Sequence, residues 1–241
     1  MPPNSIGTIP ESPLNAVDTL LGFSTDLWPI IHRLSHLLSF KTSLEAAVVA
    51  GHTSEATVFR TELENTSQAI ELALTNWQPT VTAMPCPELD PALLQDEDDP
   101  ADDTRIRSIL NNAEAYRHSA FVYLYRTIRS LPRHHPSVQK HTHASLQACS
   151  GVVNLAEQCH DGPMSALLWP LFVASCEAMT DEDRKLAGEA FAGTERRQGM
   201  NNIRRAWQVV QEVWRRVDQG GEDEVDWRGI CEERGFNIVF G

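Results

Sequence analysis

One stretch of the chain decides its fold: Leu167-Leu168-Trp169-Pro170-Leu171-Phe172-Val173-Ala174-Ser175-Cys176-Glu177-Ala178. Proline lacks a backbone N–H, so Pro170 fits the first turn of a helix, where that donor would have no partner. The apolar residues behind it are spread around the whole helix rather than along one side, which is typical of a helix buried on most of its faces. The stretch therefore predicts a central core helix.

The segments before this stretch also follow a helical pattern. From Thr25, and again from a cap at Thr53 or Ser54 as far as Pro79, apolar residues recur at three- and four-residue spacing. These positions are Leu27, Ile30, Ile31, Leu34, Leu37 and Leu38 in the first segment, and Val58, Phe59, Leu63, Ile70 and Leu74 in the second. Both segments are predicted to be helices with one apolar face.

Further helices are expected over residues 104–131 and, beyond Pro136, through Ala156 to the Asp161-Gly162-Pro163 breaker. Shorter ones are expected over residues 181–192, 200–217 and 227–234. No stretch combines the alternation of a strand with the turn residues that would bound it. The predicted fold class is therefore all-α: a single multi-helix domain, arranged as a helical bundle or an orthogonal array.

The composition is that of an ordinary globular domain. The 241 residues, 41% hydrophobic and 22% charged, suffice for one domain with a sizeable core. Residues 1–13 are expected to be a flexible lead-in, and residues 14–241 the domain itself. Residues 79–103 contain five prolines and an acidic run, which predicts a long exposed loop. No apolar run approaches the ~20 residues that a membrane span needs, so no membrane contact is expected.

Charge and cysteine spacing argue against DNA binding by this chain itself. Its formal net charge is −13, whereas binding to a phosphate backbone depends on clustered Lys and Arg. A thiolate zinc site needs closely paired cysteines. The five cysteines are dispersed, with no two within three residues, so we expect reduced thiols and no zinc; they are Cys86, Cys149, Cys159, Cys176 and Cys231.

The acidic run contains a pattern typical of a magnesium site. Asp98-Asp99-Pro100-Ala101-Asp102 fits the D-D-x-x-D pattern with which helical terpene synthases hold magnesium. Pro100 and the density of acids favour a solvated loop over a helix interior, and the partner metal motif of those enzymes is missing. Because leucines are interleaved with the acids, an acidic–hydrophobic contact segment is an alternative interpretation of this stretch. A magnesium-dependent lyase or synthase remains the enzymatic alternative.

Histidines are densest at His134, His135, His141 and His143. Metal-binding pairs on a helix prefer positions i and i+4, a spacing that these four do not form, so a surface cluster is expected. The chain has no nucleophile elbow, zinc-protease pair or phosphate-binding loop. We therefore predict no catalytic, cofactor-binding or metal-binding residue, and no cofactor.

Four segments, in order, resemble one known family. The central stretch is similar to the "WPLF-A-CEA" signature of the fungal-specific transcription factor regulatory domain. Residues 22–34 (GFSTDLWPIIHRL) and 116–128 (YRHSAFVYLYRTI) resemble its early and middle helices. The family's closing order "N…A…VW…DW…G" resembles Asn202, Ala206, Trp214, Asp226-Trp227 and Gly235.

The resemblance implies a non-enzymatic regulatory domain of a zinc-cluster transcription factor, acting in the nucleus on RNA polymerase II promoters. DNA would be reached only through a zinc cluster outside this chain, and the partners would be proteins of the transcription machinery. A relative without a DNA reader, working by partner binding, is the alternative, and homodimerisation is left open. A small-molecule effector could occupy an apolar pocket between helices, with Trp28, Tyr123, Trp169 and Phe172 as its candidate walls.

Overall fold

The computed structural model of the chain describes residues 27–79, 100–156, 167–220 and 225–240. They fold into eight α-helices: α1 (Leu27–Val49), α2 (Thr53–Asn76), α3 (Pro100–Tyr123), α4 (Pro136–Ala156), α5 (Leu168–Glu177), α6 (Asp181–Gln198), α7 (Asn201–Asp218) and α8 (Trp227–Arg234). Those four ranges contain no strand, and the helices pack on one another. The predicted all-α class is confirmed.

Helix α5 runs through the middle of the fold and contacts α3, α4, α6 and α7. Nine of its ten residues are buried, and Leu171 and Phe172 have no exposed surface. Pro170 lies in the first turn, where a backbone N–H would have no intrahelical acceptor, so its absence costs no hydrogen bond. Its own carbonyl oxygen accepts a hydrogen bond from Ser119 Oγ of α3 at 2.8 Å. The prediction of a central core helix is confirmed.

Two apolar clusters form the core, and α5 contributes to both. The N-terminal core is built by α1, α2 and α3, and Trp169 packs against it with its ring stacked on Tyr116 at 5.3 Å. The C-terminal core is built mainly by α4 to α8. There Phe172 contacts the rings of Trp227 and Phe240 at 5.1 and 5.2 Å between centroids. The one helix therefore fixes the two clusters relative to each other.

Helices α1 and α2 form a hairpin closed by a tight turn at Gly51, whose φ of +74° favours glycine. The cap position of α2 is His52 rather than the expected Thr53 or Ser54, because the Thr53 hydroxyl donates backward to the carbonyl of Gly51 instead. Ile70 and Leu74 are buried as the spacing predicts. Val58, in contrast, is 61% exposed, because α2 buries only one narrow side against α1.

Two helices are longer than the apolar spacing predicts. Helix α3 begins at Pro100, ahead of the expected Thr104, because proline at a first helical position needs no donor. The last four residues of the expected loop are thus helical, while residues 80–99 and the lead-in lie outside the described residues. Helix α6 continues past Ala192 because Gly193 and Thr194 extend its buried side, and it ends at Gly199 with a left-handed φ of +58°.

The end of α3 is wider than an α-helix. Leu124–Ile128 form a π-helical turn, and the N–H of Arg129 then donates to the Leu124 carbonyl five residues back, at 2.9 Å. The helix ends at Ile128, and two residues later Ser130 has a φ of +54°. A left-handed backbone costs a residue other than glycine about 1 kcal/mol or more. The expectation that this helix continues to Leu131 is therefore wrong, because the chain reverses at a strained serine.

Candidate functional site

Side-chain donors occupy the C-terminal end of α5. A helix end leaves carbonyl oxygens without intrahelical partners, and burial makes those oxygens costly unless they accept another hydrogen bond. Here four successive carbonyls each accept from a side chain of another segment. The pairs are Trp214 Nε1 to Ser175 at 2.8 Å, Arg133 to Cys176, Gln139 Nε2 to Glu177 at 3.0 Å, and Arg184 Nε to Ala178 at 3.4 Å.

The carboxylate of Glu177 completes this cluster. It lies 2.8 Å from Arg126 Nε and 3.1 Å from an Arg133 guanidinium nitrogen. Arg133 is only 1% exposed, and Glu177 is also buried. A buried charge is tolerated when it is paired and hydrogen-bonded, as these groups are. The last acidic residue of the signature stretch therefore works as a structural anchor for two arginines.

A cavity of about 460 Å³ opens beside Glu177. Its walls come from α1, from the π-helical turn and the segment after it, from the end of α5, from α7, and from the start of α8. Cations and carboxylates both line it: Lys41, Arg126, Arg133 and Arg228 against Glu45, Glu177 and Asp226. Leu38, Val213 and Trp227 add apolar surface. The volume falls within the range of small-molecule sites, which is about 300–1,000 Å³.

Lys41 bridges this cavity to the strained end of the π-helical turn. Its Nζ donates to the carbonyl oxygen of Thr127 and to Ser130 Oγ, both at 2.7 Å. Ser130 is the residue with the left-handed backbone. Strained residues persist where their surroundings hold them in place, and they are frequent at functional sites.

Arg228 is a second cation that lines the cavity. Its guanidinium carbon lies 4.4 Å from the ring centroid of Trp227 and 5.5 Å from that of Tyr123, both within cation–π distance. The guanidinium also donates to the Tyr123 hydroxyl at 3.0 Å. Asp226 caps α8 by accepting from the Arg228 backbone N–H at 3.1 Å. These contacts fix a second cation in the wall.

The four side chains suggested as walls of an effector pocket do not line this cavity. Trp28 is 53% exposed on α1, and Tyr123 and Trp169 pack against the N-terminal core. Phe172 is fully enclosed in the C-terminal core. Tyr123 and Trp169 thus pack against one core, whereas Phe172 belongs to the other. Sequence reasoning missed the polar residues around the cavity, because they come from distant segments and no motif links them.

The histidine group does not form the surface cluster that was expected. His134 is exposed, but His143 Nδ1 lies 2.6 Å from Asp183 Oδ1, and His141 stacks on Phe121 with 4.1 Å between ring centroids. His141 also shares a 2.8 Å hydrogen bond between Nδ1 atoms with His118, which sequence reasoning missed. The prediction fails because α3 and α4 pack closely and cover the side of α4 that carries His141.

Burial keeps His118 and His141 neutral. Desolvation, followed by the nearby Arg117 charge, lowers the pKa of His118 to about 3. Desolvation, followed by the Lys140 charge, lowers the pKa of His141 to about 4. A protonated imidazole has no acceptor nitrogen, so at least the accepting ring of the Nδ1–Nδ1 bond must be uncharged.

Two of the three aspartates of the suggested magnesium motif lie outside the described residues. Asp98 and Asp99 are outside the described residues, and Asp102 belongs to the first turn of α3. Across the described ranges, no group of three or more His, Cys, Asp or Glu side chains could hold a metal ion. Cys149, Cys176 and Cys231 are buried free thiols, and burial raises the pKa of each.

Comparison with known proteins gives one clear result. The family model described as "fungal specific transcription factor domain" matches residues 3–241. No curated protein and no solved structure matches the chain significantly. None of the helices in the described ranges is both long and apolar enough to cross a bilayer.

Proposed function

The chain belongs to the family of fungal specific transcription factor domains, and we propose that it is the regulatory domain of a zinc-cluster factor that controls RNA polymerase II transcription in the nucleus. The DNA-binding module lies outside this chain, and the domain acts by contacting proteins of the transcription machinery. It performs no catalysis. The family match over residues 3–241 is the observation that carries this proposal.

The chemistry of the signature helix supports a regulatory role over a catalytic one. Residues 168–177 form α5, which is buried almost throughout, with its terminal carbonyls bonded to side chains of the same domain. Its thiol, Cys176, is fully enclosed and has a raised pKa, which is the opposite of what an activated nucleophile requires. The signature therefore maintains a framework, and interaction with partners falls to the surface of the domain.

The charge of the chain supports contact with proteins rather than with DNA. A formal charge of −13 repels a phosphate backbone unless basic residues gather on one face. Several arginines are instead engaged with acids inside the domain, for example Arg184 with Asp218 at 2.7 Å and Arg216 with Glu212 at 2.8 Å. DNA contact then has to come from a separate module.

A tethering experiment tests the proposal. The chain is fused to an unrelated DNA-binding domain and expressed in a fungal host, where a reporter with matching upstream sites is measured. We expect the reporter to rise or fall relative to the DNA-binding domain alone. The matched controls are Phe172→Ala, which removes a buried core ring, and Lys185→Ala, which changes an exposed residue on α6.

The Phe172→Ala fusion is expected to lose the effect and the Lys185→Ala fusion to keep it. A folded, nuclear fusion that leaves the reporter unchanged would contradict the regulatory role. Localisation is followed in the same cells with a fluorescent tag on the chain without the added domain. Sequencing the gene upstream of Met1 shows whether a six-cysteine cluster is encoded there. A gene without one would favour a regulator that works by partner binding.

A further inference from the structure

We propose that the cavity beside Glu177 binds a small organic carboxylate, held between the ammonium of Lys41 and the guanidinium of Arg228. That such a ligand acts as a regulatory effector rests on the proposed function, whereas its binding does not. Lys41 is one of the cations that line the cavity. Its two hydrogen bonds, to Thr127 O and Ser130 Oγ, go to uncharged oxygens. An ammonium has three N–H donors, so these bonds orient the group and leave one donor for an anion.

The charge in the walls favours a carboxylate over a more highly charged anion. Four cations face three carboxylates, so the excess positive charge is small. Asp226 lies 3.4 Å from Arg228 and would repel a dianionic phosphate at that side. A single carboxylate accepts hydrogen bonds from both cations with less repulsion. Glu45 is exposed, one turn beyond Lys41 on α1, and so affects the ligand less than a buried acid would.

The remaining walls suit a short hydrocarbon body. Trp227, Val213 and Leu38 provide the apolar surface of the cavity. The Trp227 ring is held in place by contacts with the rings of Phe172 and Phe240 and with the Arg228 guanidinium. A volume of about 460 Å³ admits a molecule of this size. The ligand is therefore a carboxylate on a small aliphatic or aromatic group.

The strained backbone of Ser130 lies in the wall of the same cavity. A glycine at this position would adopt a φ of +54° without strain. A serine costs stability there, but it supplies the hydroxyl that positions the Lys41 ammonium. Because the cavity is lined from α1, the π-helical turn, α5 and α8, a bound carboxylate would also tie the α1–α2 hairpin to the C-terminal half of the domain.

Binding is tested on the intact chain with sodium butyrate and sodium benzoate, each compared with its neutral amide at constant ionic strength. At millimolar concentration we expect at least one carboxylate to raise the melting temperature by about 2–4 °C while its amide does not. Calorimetry then gives the Kd. Lys41→Met is expected to weaken binding by about tenfold or more, because a charge-assisted hydrogen bond is lost. Lys41→Arg is expected to retain most of the binding.

Two further variants separate binding from folding. Ser130→Gly relieves the left-handed backbone and so retains the fold, yet it is expected to weaken carboxylate binding. Lys185→Met, at an exposed site on α6, is expected to leave the Kd unchanged. The proposal is overturned if no carboxylate stabilises the chain, or if the amides or inorganic phosphate stabilise it equally. It is also overturned if the folded Lys41→Met and Ser130→Gly variants bind as the parent does. None of these results bears on the tethered reporter assay, which measures the regulatory role separately.

Discussion

Glu177 accepts hydrogen bonds from Arg126 and forms an ion pair with the enclosed Arg133, at 2.8 and 3.1 Å, and so links α5 to the segment that joins α3 and α4. Replacing it with Gln removes the carboxylate charge that pairs with the buried Arg133 and the partly buried Arg126. Breaking a buried pair from one side costs about 3–5 kcal/mol. Glu177→Gln is therefore expected to lower the free energy of unfolding by about that amount in urea denaturation.

The control for that experiment is Glu189→Gln. Glu189 lies 3.9 Å from Lys185 in an exposed pair on α6, and such pairs contribute about 0–1 kcal/mol. If Glu177→Gln changes stability no more than this control does, Glu177 does not anchor the two arginines.

Phe172 provides the test of the core helix. Its side chain has no exposed surface and contacts the rings of Trp227 and Phe240. Truncation loses the burial of the ring and leaves a cavity, so Phe172→Ala is expected to cost about 3–5 kcal/mol of stability. The exposed Val49, at 91%, supplies the comparison, and Val49→Ala should change stability by less than about 0.5 kcal/mol. If Phe172→Ala melts at the same temperature as the parent chain, α5 is not part of the core.

The buried histidine pair predicts sensitivity to acid. In the folded chain the pKa values of His118 and His141 are lowered to about 3 and about 4, whereas the unfolded value is near 6.5. As pH falls below 6.5, the unfolded chain takes up protons that the folded chain does not. Stability is therefore fully present above pH ~6.5 and is lost as pH falls towards the folded pKa values of about 4 and about 3, with a slope that approaches about 1.4 kcal/mol per pH unit for each histidine.

Urea midpoints measured between these pH values check the slope. In the double variant His118→Leu/His141→Phe neither ring can titrate, and the apolar packing against Phe121 is retained. Its stability is expected to depend less on pH than that of the parent chain. His52→Gln alters an exposed histidine and should keep the parent's dependence. Equal slopes in the parent and the double variant would locate the acid sensitivity elsewhere, for example at Glu71, which interacts with His141.

Duplex DNA should not bind to this chain. The charge of −13 opposes the counterion release on which such binding depends. Titration of labelled duplex at physiological salt is expected to show no saturable complex in the submicromolar range. A sequence-specific complex, or stoichiometric zinc in the purified chain, would contradict this expectation.

A triple variant in which Asp98, Asp99 and Asp102 are all changed to Asn tests the acidic motif. If these carboxylates are solvated, the triple variant should match the parent within about half a kcal/mol. Neither protein should then gain thermal stability from millimolar magnesium with an isoprenoid diphosphate. Stabilisation of the parent that the triple variant lacks would instead support the enzymatic alternative.

The helices could be predicted from the sequence because their apolar spacing is a local property. Pro170 and the all-round apolar residues behind it indicated α5, and Leu34 and Leu37 indicated the buried side of α1. The end of α3 could not be predicted in this way. A π-helical turn and a left-handed Ser130 arise from packing against the rest of the domain, and no pattern in residues 124–130 indicates them.

The cavity was beyond sequence reasoning for a different reason. Lys41 and Ser130 are 89 residues apart, and Tyr123 and Arg228 are 105 apart, so only the folded chain brings them together. His118 and His141 also come from different helices. The spacing of apolar residues shows which side of a helix is buried, but it does not show which polar groups of other helices pack against that side.

The end of α5 has a consequence for how this domain forms during synthesis. The side chains that donate to its carbonyl oxygens are those of Arg133 and Gln139, which precede α5 in the sequence, and those of Arg184 and Trp214, which follow it. A growing chain emerges from the ribosome N-terminal end first. The centre of the domain therefore stays incomplete until Trp214 has left the exit tunnel, so a chain that stops before α7 exposes its most apolar helix to chaperones and proteases.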